Sequence, residues 1–233
     1  MNFFNMLYGK EGPGVPDNEP EKKGFALFWD VFRQQFWELI KLNLTFLLSC
    51  VPIITIPAAI KAMSHIAFSM FQNKHHYLWE DYWASFKDNF IRSTIIGLIW
   101  ILMLAVTWFG LQFYLSLLNA DWNAYLSAAL AGLSILIFLL VTFMGYYIFP
   151  MDAKMELKAT QVFRNALLLS ILRLPWNILT LVVIALICFL LLMFFPFTII
   201  IVPFFSFSFI SFIATFCAYT GLKKYVITEE HVQ

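Results

Sequence analysis

LPWNILTLVVIALICFLLLMFFPFTIIIVPFFSFSFISFIATFCAYTGL, residues 174–222, runs for 49 residues without an Asp, Glu, Lys or Arg. As one helix at 1.5 Å per residue it would be about 74 Å long, against a bilayer hydrocarbon core of about 30 Å. Pro196 and Pro203 stand near its middle, where a chain that must turn can use residues that break helices. The stretch reads as a helical hairpin that crosses a membrane twice.

The same count works outward. Between Arg92 and Asp121 lie 28 uncharged residues, and between Asp121 and Asp152 another 30. Each suits one crossing of about 20 apolar residues with interfacial ends. The first apolar region, 36–71, is interrupted by Lys41 and Lys61, and Pro52 and Pro57 flank IITI. Those prolines favour two short helices over one. Composition agrees with a lipid solvent: of 233 residues 61% are hydrophobic and 12% charged, against about a quarter charged in a soluble domain.

Orientation follows from the basic residues. Lys22, Lys23 and Arg33 precede the first apolar region; Lys74, Lys87 and Arg92 follow it. Basic flanks stay in the cytoplasm, so an even number of crossings separates the two groups. Lys154, Lys158, Arg164 and Arg173, then Lys223 and Lys224, fall inside by the same rule, leaving Lys61 alone elsewhere among 15 basic residues. The expectation is an all-α membrane protein of six transmembrane helices in three hairpins, with both termini cytoplasmic. Its parts are a polar N-terminal segment 1–24, a single six-helix domain 25–222 with spans near 37–51, 57–72, 94–117, 124–149, 176–195 and 199–220, and a tail 223–233. No cleavable signal is expected, since MNFFNMLYGKEGPGVPDNEPEKKG (1–24) has no apolar run ending in small residues. Outer loops around VPIITIP (51–57), NADWN (119–123) and FPFTIIIVP (195–203) are too short for a receptor or catalytic domain.

Three segments that enter odd-numbered spans share a pattern: VFRQQFWELIKLNL (31–44), SFKDNFIRSTIIGL (85–98) and VFRNALLLSILRLP (162–175). Phe and a basic residue open each, with an amide close behind. Upstream, FALFWDVFRQQFW (25–37) and LWEDYWASFKDNF (78–90) mix aromatic and charged residues at helical spacing, as interfacial helices on the cytoplasmic side do. Simple anchoring accounts for that pattern; a docking surface for a partner is the sharper reading. Arg33, Lys87, Asn89 and Arg92 are its candidate docking residues, and Lys61, the one charge inside a span, is the candidate intramembrane site. A structural account of Lys61 is at hand, since near the outer end of a short helix its amine can reach water.

Chemistry-bearing motifs are missing. The nine Gly never form GxGxxG or GxxxxGK[ST], and neither G-x-S-x-G nor H-E-x-x-H occurs. His65, His75, His76 and His231 read as solvated or interfacial, and Cys50, Cys188 and Cys217 as small buried hydrophobes. No span carries a carboxylate at its centre, which weighs against a proton-driven pump. Asn43, Asn165 and Asn177 read as helix–helix hydrogen-bonding residues. Neither an enzyme nor a cofactor or metal is expected, and a net charge of +1 gives no reason to expect nucleic acid.

With these residues in view, the chain resembles the YesL-like family of bacterial membrane proteins over nearly its whole length. The resemblance rests on GPG (12–14), LNLTFLLSCVPIITIPAA (42–59), FKDNFIRSTIIGL (86–98), FP (149–150), NALLL (165–169) and LP (174–175). Its motif positions are Gly12, Pro13, Asn43, Pro52, Thr55, Pro57, Pro150, Asn165 and Pro175; Lys61 departs from the small or apolar residue the family has there. The resemblance implies a Gram-positive plasma membrane and an accessory role beside the permease subunits of a carbohydrate ABC importer. A stand-alone channel or facilitator for a small solute is the competing class. Sugar, partner, stoichiometry and oligomeric state are open at this point.

Overall fold

The computed structural model describes residues 24–72, 77–117, 124–195, 197–198 and 202–225. The 1–23 segment with Gly12 and Pro13, the histidines His75 and His76, the Asp121 loop and the tail after Tyr225 lie outside the described residues.

Among the described residues the chain is helical without strands. In order come α1 (Phe25–Gln34), α2 (Phe36–Ser49), a short 3₁₀ turn (Ile53–Thr55), α3 (Ile56–Phe71), α4 (Leu78–Lys87), α5 (Phe90–Leu117), α6 (Ala124–Lys154), α7 (Ala159–Leu172), α8 (Leu174–Met193), a π-helical turn (Val202–Ser206) and α9 (Phe207–Tyr225). The prolines punctuate as their chemistry requires. Pro52 precedes the turn, while Pro57 and Pro175 sit in the first turns of α3 and α8, where a missing N–H costs nothing. Pro150 behaves otherwise: α6 runs through it to Lys154, so that helix outlasts the expected 124–149.

Among the described residues, five helical stretches are long and apolar enough to cross a membrane: Ile53–Phe71, Phe90–Leu117, Tyr125–Lys154, Leu174–Met193 and Val202–Tyr225. Six were expected. The missing one is 37–51, which is the 14-residue helix α2; at 1.5 Å per residue it rises about 21 Å, short of a 30 Å core.

Residues 25–36 and 78–90 contain the expected helices, α1 and α4, but the aromatic face of α1 is used differently. Phe28 packs on Phe212 and Phe216 of α9, with ring centroids 5.2 Å apart in both pairs, and Phe32 on Phe205, Phe209 and Phe212. Protein covers part of those rings, leaving Phe28 and Phe32 half-buried, while Phe25 and Trp29 stay exposed.

At the centre lies α3. Its contacts pass from helix to helix along its length: Pro57 against Gly97 of α5, His65 and Ser69 against the end of α6, Phe68 and Phe71 against Tyr219 and Phe212 of α9. Gly97 permits the first approach, because a Cβ there would stand 2.3 Å from the Pro57 Cβ. Gly145 likewise admits the Trp100 ring, whose Nε1 donates to the Val141 carbonyl at 2.9 Å. Gly132, by contrast, has open space around it.

Candidate functional site

The candidate site is built where α3 passes the adjoining ends of α5 and α6. Between α4 and α5 the chain reverses at Asp88 and Asn89. Asp88 is extended (φ −62°, ψ 120°) and Asn89 is left-handed at φ 49°, a conformation Asn tolerates better than most residues. That reversal turns both the carboxylate and the carbonyl of Asp88 toward α3. Lys61 answers them: its Nζ donates to the Asp88 carbonyl at 2.7 Å and meets Oδ2 at 3.2 Å.

This corrects the expectation for Lys61. Its amine does not reach water, for the residue is 1% exposed. Its partner precedes α5 by two residues, at the end that the sequence assigns to the cytoplasm. Burying an ammonium costs several kcal/mol unless it is paired and hydrogen-bonded, and Asp88 supplies both.

A second pair lies beside the first. Arg92 Nη2 is 3.2 Å from Asp152 Oδ1 and also donates to the Leu157 carbonyl, while Ser93 Oγ donates to Asp152 Oδ2 at 2.6 Å. Both oxygens of this buried carboxylate are therefore occupied. Third, Lys154 Nζ lies 2.7 Å from Ser69 Oγ and 3.1 Å from His65 Nε2, and His65 Nδ1 faces the Ala153 carbonyl at 3.3 Å. A neutral imidazole protonated on Nδ1 satisfies both contacts, accepting from the amine and donating to the carbonyl.

Asp88, Asn89, Arg92, Asp152, Lys154 and Lys158 face one open cleft of about 530 Å³. Burial by itself would raise the Asp88 carboxyl. The Lys61 hydrogen bond and charge, helped by Asn89 and Arg92, outweigh it and hold that carboxyl below its ordinary range.

Of the sequence candidates, Lys61, Asn89 and Arg92 are thus brought together. Lys87 is exposed next to the cleft, and Arg33 is exposed on α1, whose aromatic face is on α9. Asp88, Asp152, Lys154, His65 and Ser69 were missed. Asp88 and Asp152 could have been found as acids within a turn of the helix ends that carry Arg92 and Lys154; nothing local in the sequence links His65 or Ser69 to them.

A separate polar network ties α6, α8 and α9. Tyr147 OH donates to Asn177 Oδ1 at 2.6 Å, Asn177 Nδ2 donates to the Ser170 carbonyl at 3.0 Å, and Arg173 Nη1 donates to the Cys217 carbonyl at 2.8 Å and to Thr220 Oγ1 at 2.7 Å. Asn43 spans the π-helical turn, donating to the Val202 and Pro203 carbonyls and accepting from Ser208 N at 2.8 Å. These are the interhelical bonds expected of Asn43 and Asn177. Asn165 is half-buried and makes none with the described residues. Among those residues no three His, Cys, Asp or Glu gather as a metal site.

Fold and site together define a helical, membrane-type protein whose charged groups pair with each other at one end of its long helices. Residues 39–111 match a family described as "Protein of unknown function, DUF624". That segment, about a third of the chain, runs from α2 into α5 and so carries Lys61, Asp88, Asn89 and Arg92. No curated protein and no solved structure matches the chain.

Proposed function

We propose that this chain is a YesL-like accessory membrane subunit, without enzymatic activity, of an oligosaccharide ABC importer. It sits in the plasma membrane of a Gram-positive bacterium with both termini cytoplasmic and docks against the permease subunits. The observation that supports this most is the lining of the fissure among α3, α5, α6, α8 and α9. It holds about 470 Å³, and Ser64, Thr142, Tyr146, Ser211 and Thr215 supply its few side-chain hydroxyls among Phe, Trp, Leu and Ile. A sugar carries a hydroxyl on almost every carbon, and each one desolvated without a partner costs on the order of 2–7 kcal/mol. Such a fissure is a poor path for an oligosaccharide, so passage through a partner fits better. The Asp88–Lys158 cleft, lined by both charge signs, suits a partner surface of mixed charge.

Uptake by reconstituted protein tests the reading. The purified chain in proteoliposomes should accumulate no oligosaccharide under any ion gradient. Deleting its gene should lower uptake only in cells that hold the cognate importer. Robust uptake by the chain alone would promote the facilitator instead.

A further inference from the structure

We infer that the α2–α3 hairpin is re-entrant: it enters and leaves the bilayer on the face that carries Asp88, and its turn, residues 51–55, rests against the acyl chains of that leaflet. The argument does not use the importer reading.

Both arms of the hairpin are pinned at that face. On the α3 side, Lys61 Nζ is held by Asp88 at 2.7 Å and 3.2 Å. On the α2 side, Ser49 Oγ lies 2.6 Å from Tyr82 OH, and Tyr82 belongs to α4, the helix that ends just before Asp88. Depth is bounded as well. Pro57 touches Gly97, seven residues into α5, or about 10 Å at 1.5 Å per residue, a third of a 30 Å core. The turn beyond it is a tight 3₁₀ element, not an extended strand. Its tip therefore stops inside the leaflet.

The basic residues fit this arrangement better than six crossings. Six crossings leave Lys61 alone on the outer side, whereas a re-entrant hairpin puts all 15 Lys and Arg on one side. The crossings become α5, α6, α8 and α9, still an even number, so both termini stay on the basic side.

The turn is also made for lipid. Val51, Ile53 and Ile54 are 76%, 81% and 63% exposed; in water they would be an apolar patch on a loop, in lipid they are solvated. Irregular backbone at membrane depth is costly where its polar groups stay unpaired, and the turn pairs part of them internally. Here Cys50 N donates to the Phe46 carbonyl at 3.0 Å, Thr55 N donates to the Pro52 carbonyl at 3.0 Å, and Thr55 Oγ1 donates to the Ser49 carbonyl at 2.6 Å. Pro52 and Pro57 bring no N–H at all. The proline-and-threonine composition of VPIITIP thus lowers the cost of placing a turn in lipid.

Cysteine accessibility in whole cells tests the inference. Ile54→Cys and Tyr125→Cys are made in a chain whose three native cysteines are replaced by serine. Tyr125 is 91% exposed at the opposite end of α6 from Asp152. A membrane-impermeant maleimide should label Tyr125→Cys from outside and leave Ile54→Cys unlabelled. An environment-sensitive fluorophore attached to Ile54→Cys in reconstituted vesicles should be quenched several-fold more by acyl-chain spin labels than by a soluble quencher. Ile53→Cys repeats both measurements at a neighbouring exposed site. Labelling of residue 54 from outside at the rate of residue 125 overturns the re-entrant hairpin. Quenching by the soluble agent alone overturns the lipid contact.

Discussion

Helices α3 and α8 are opposites in a way a soluble protein would not allow. The most apolar of the long helices, α8, has 11% of its crossing window buried by protein, whereas the stretch containing α3 is the least apolar and has 67% buried. In water the order would be reversed, because apolar area is driven inward. In a bilayer the tails solvate Ile178, Leu179, Val182 and Leu186 of α8 as well as a protein core would. Lys61, His65 and Ser69 of α3 find no partner in lipid and must be covered by protein groups that bond them. Polar residues, not apolar ones, decide which helix is central.

The largest expected effect comes from removing a polar partner at the centre. Asp152→Ala leaves Arg92 and Ser93 without the carboxylate that both now bond. Removing one partner of a buried ion pair costs about 3–5 kcal/mol; the lower end applies because the Arg92 side chain is 35% exposed. Thermal unfolding in detergent should show a large drop in midpoint for Asp152→Ala, and a drop of similar size for Leu186→Ala on α8 would break the comparison. Leu186 is 56% exposed to the lipid side, and its truncation should stay within about 0.5 kcal/mol.

A middle-sized effect distinguishes helices that touch from helices that only run alongside lipid. Gly97→Ala forces a methyl to within 2.3 Å of Pro57, and overpacking of that kind costs about 1–3 kcal/mol. Gly132→Ala meets nothing within 4 Å and removes a poor helix former, so it should be neutral or stabilising by up to about 1 kcal/mol. Measuring both midpoints side by side reads contact against propensity.

Much of the fold was legible because the bilayer imposes it: charge-free runs and prolines located α5, α6, α8 and α9 within a few residues at most boundaries. The hairpin was not legible in the same way. Counting charges shows that 36–71 must bend, yet the path of α3 depends on Lys61 finding Asp88, 27 residues away and beyond a further helix. Spacing along the chain carries no information about such a pair. Basic residues that steer orientation were visible as a class; the acids that fix them, Asp88 and Asp152, looked like ordinary helix-end residues.

The smallest effect concerns the exposed end of the central pair. Asp88 is held below its ordinary carboxyl range, 3.8, because the Lys61 contacts outweigh the opposing effect of burial. A carboxyl depressed in the folded state stabilises above its unfolded value, and that contribution disappears as pH falls through the folded value. The window therefore lies below about pH 4, and at neutral pH the contribution is complete. Its size is limited by solvent: the Asp88 side chain is 62% exposed, so screening holds the ionic part within the ~0–1 kcal/mol of surface pairs. Asp88→Asn keeps the backbone carbonyl that Lys61 also bonds and removes only the charge. Its unfolding midpoint should sit slightly below that of the natural chain at pH 7, and the gap should narrow as pH falls below about 4. A gap that widens toward low pH would mean the carboxylate is not what Lys61 needs.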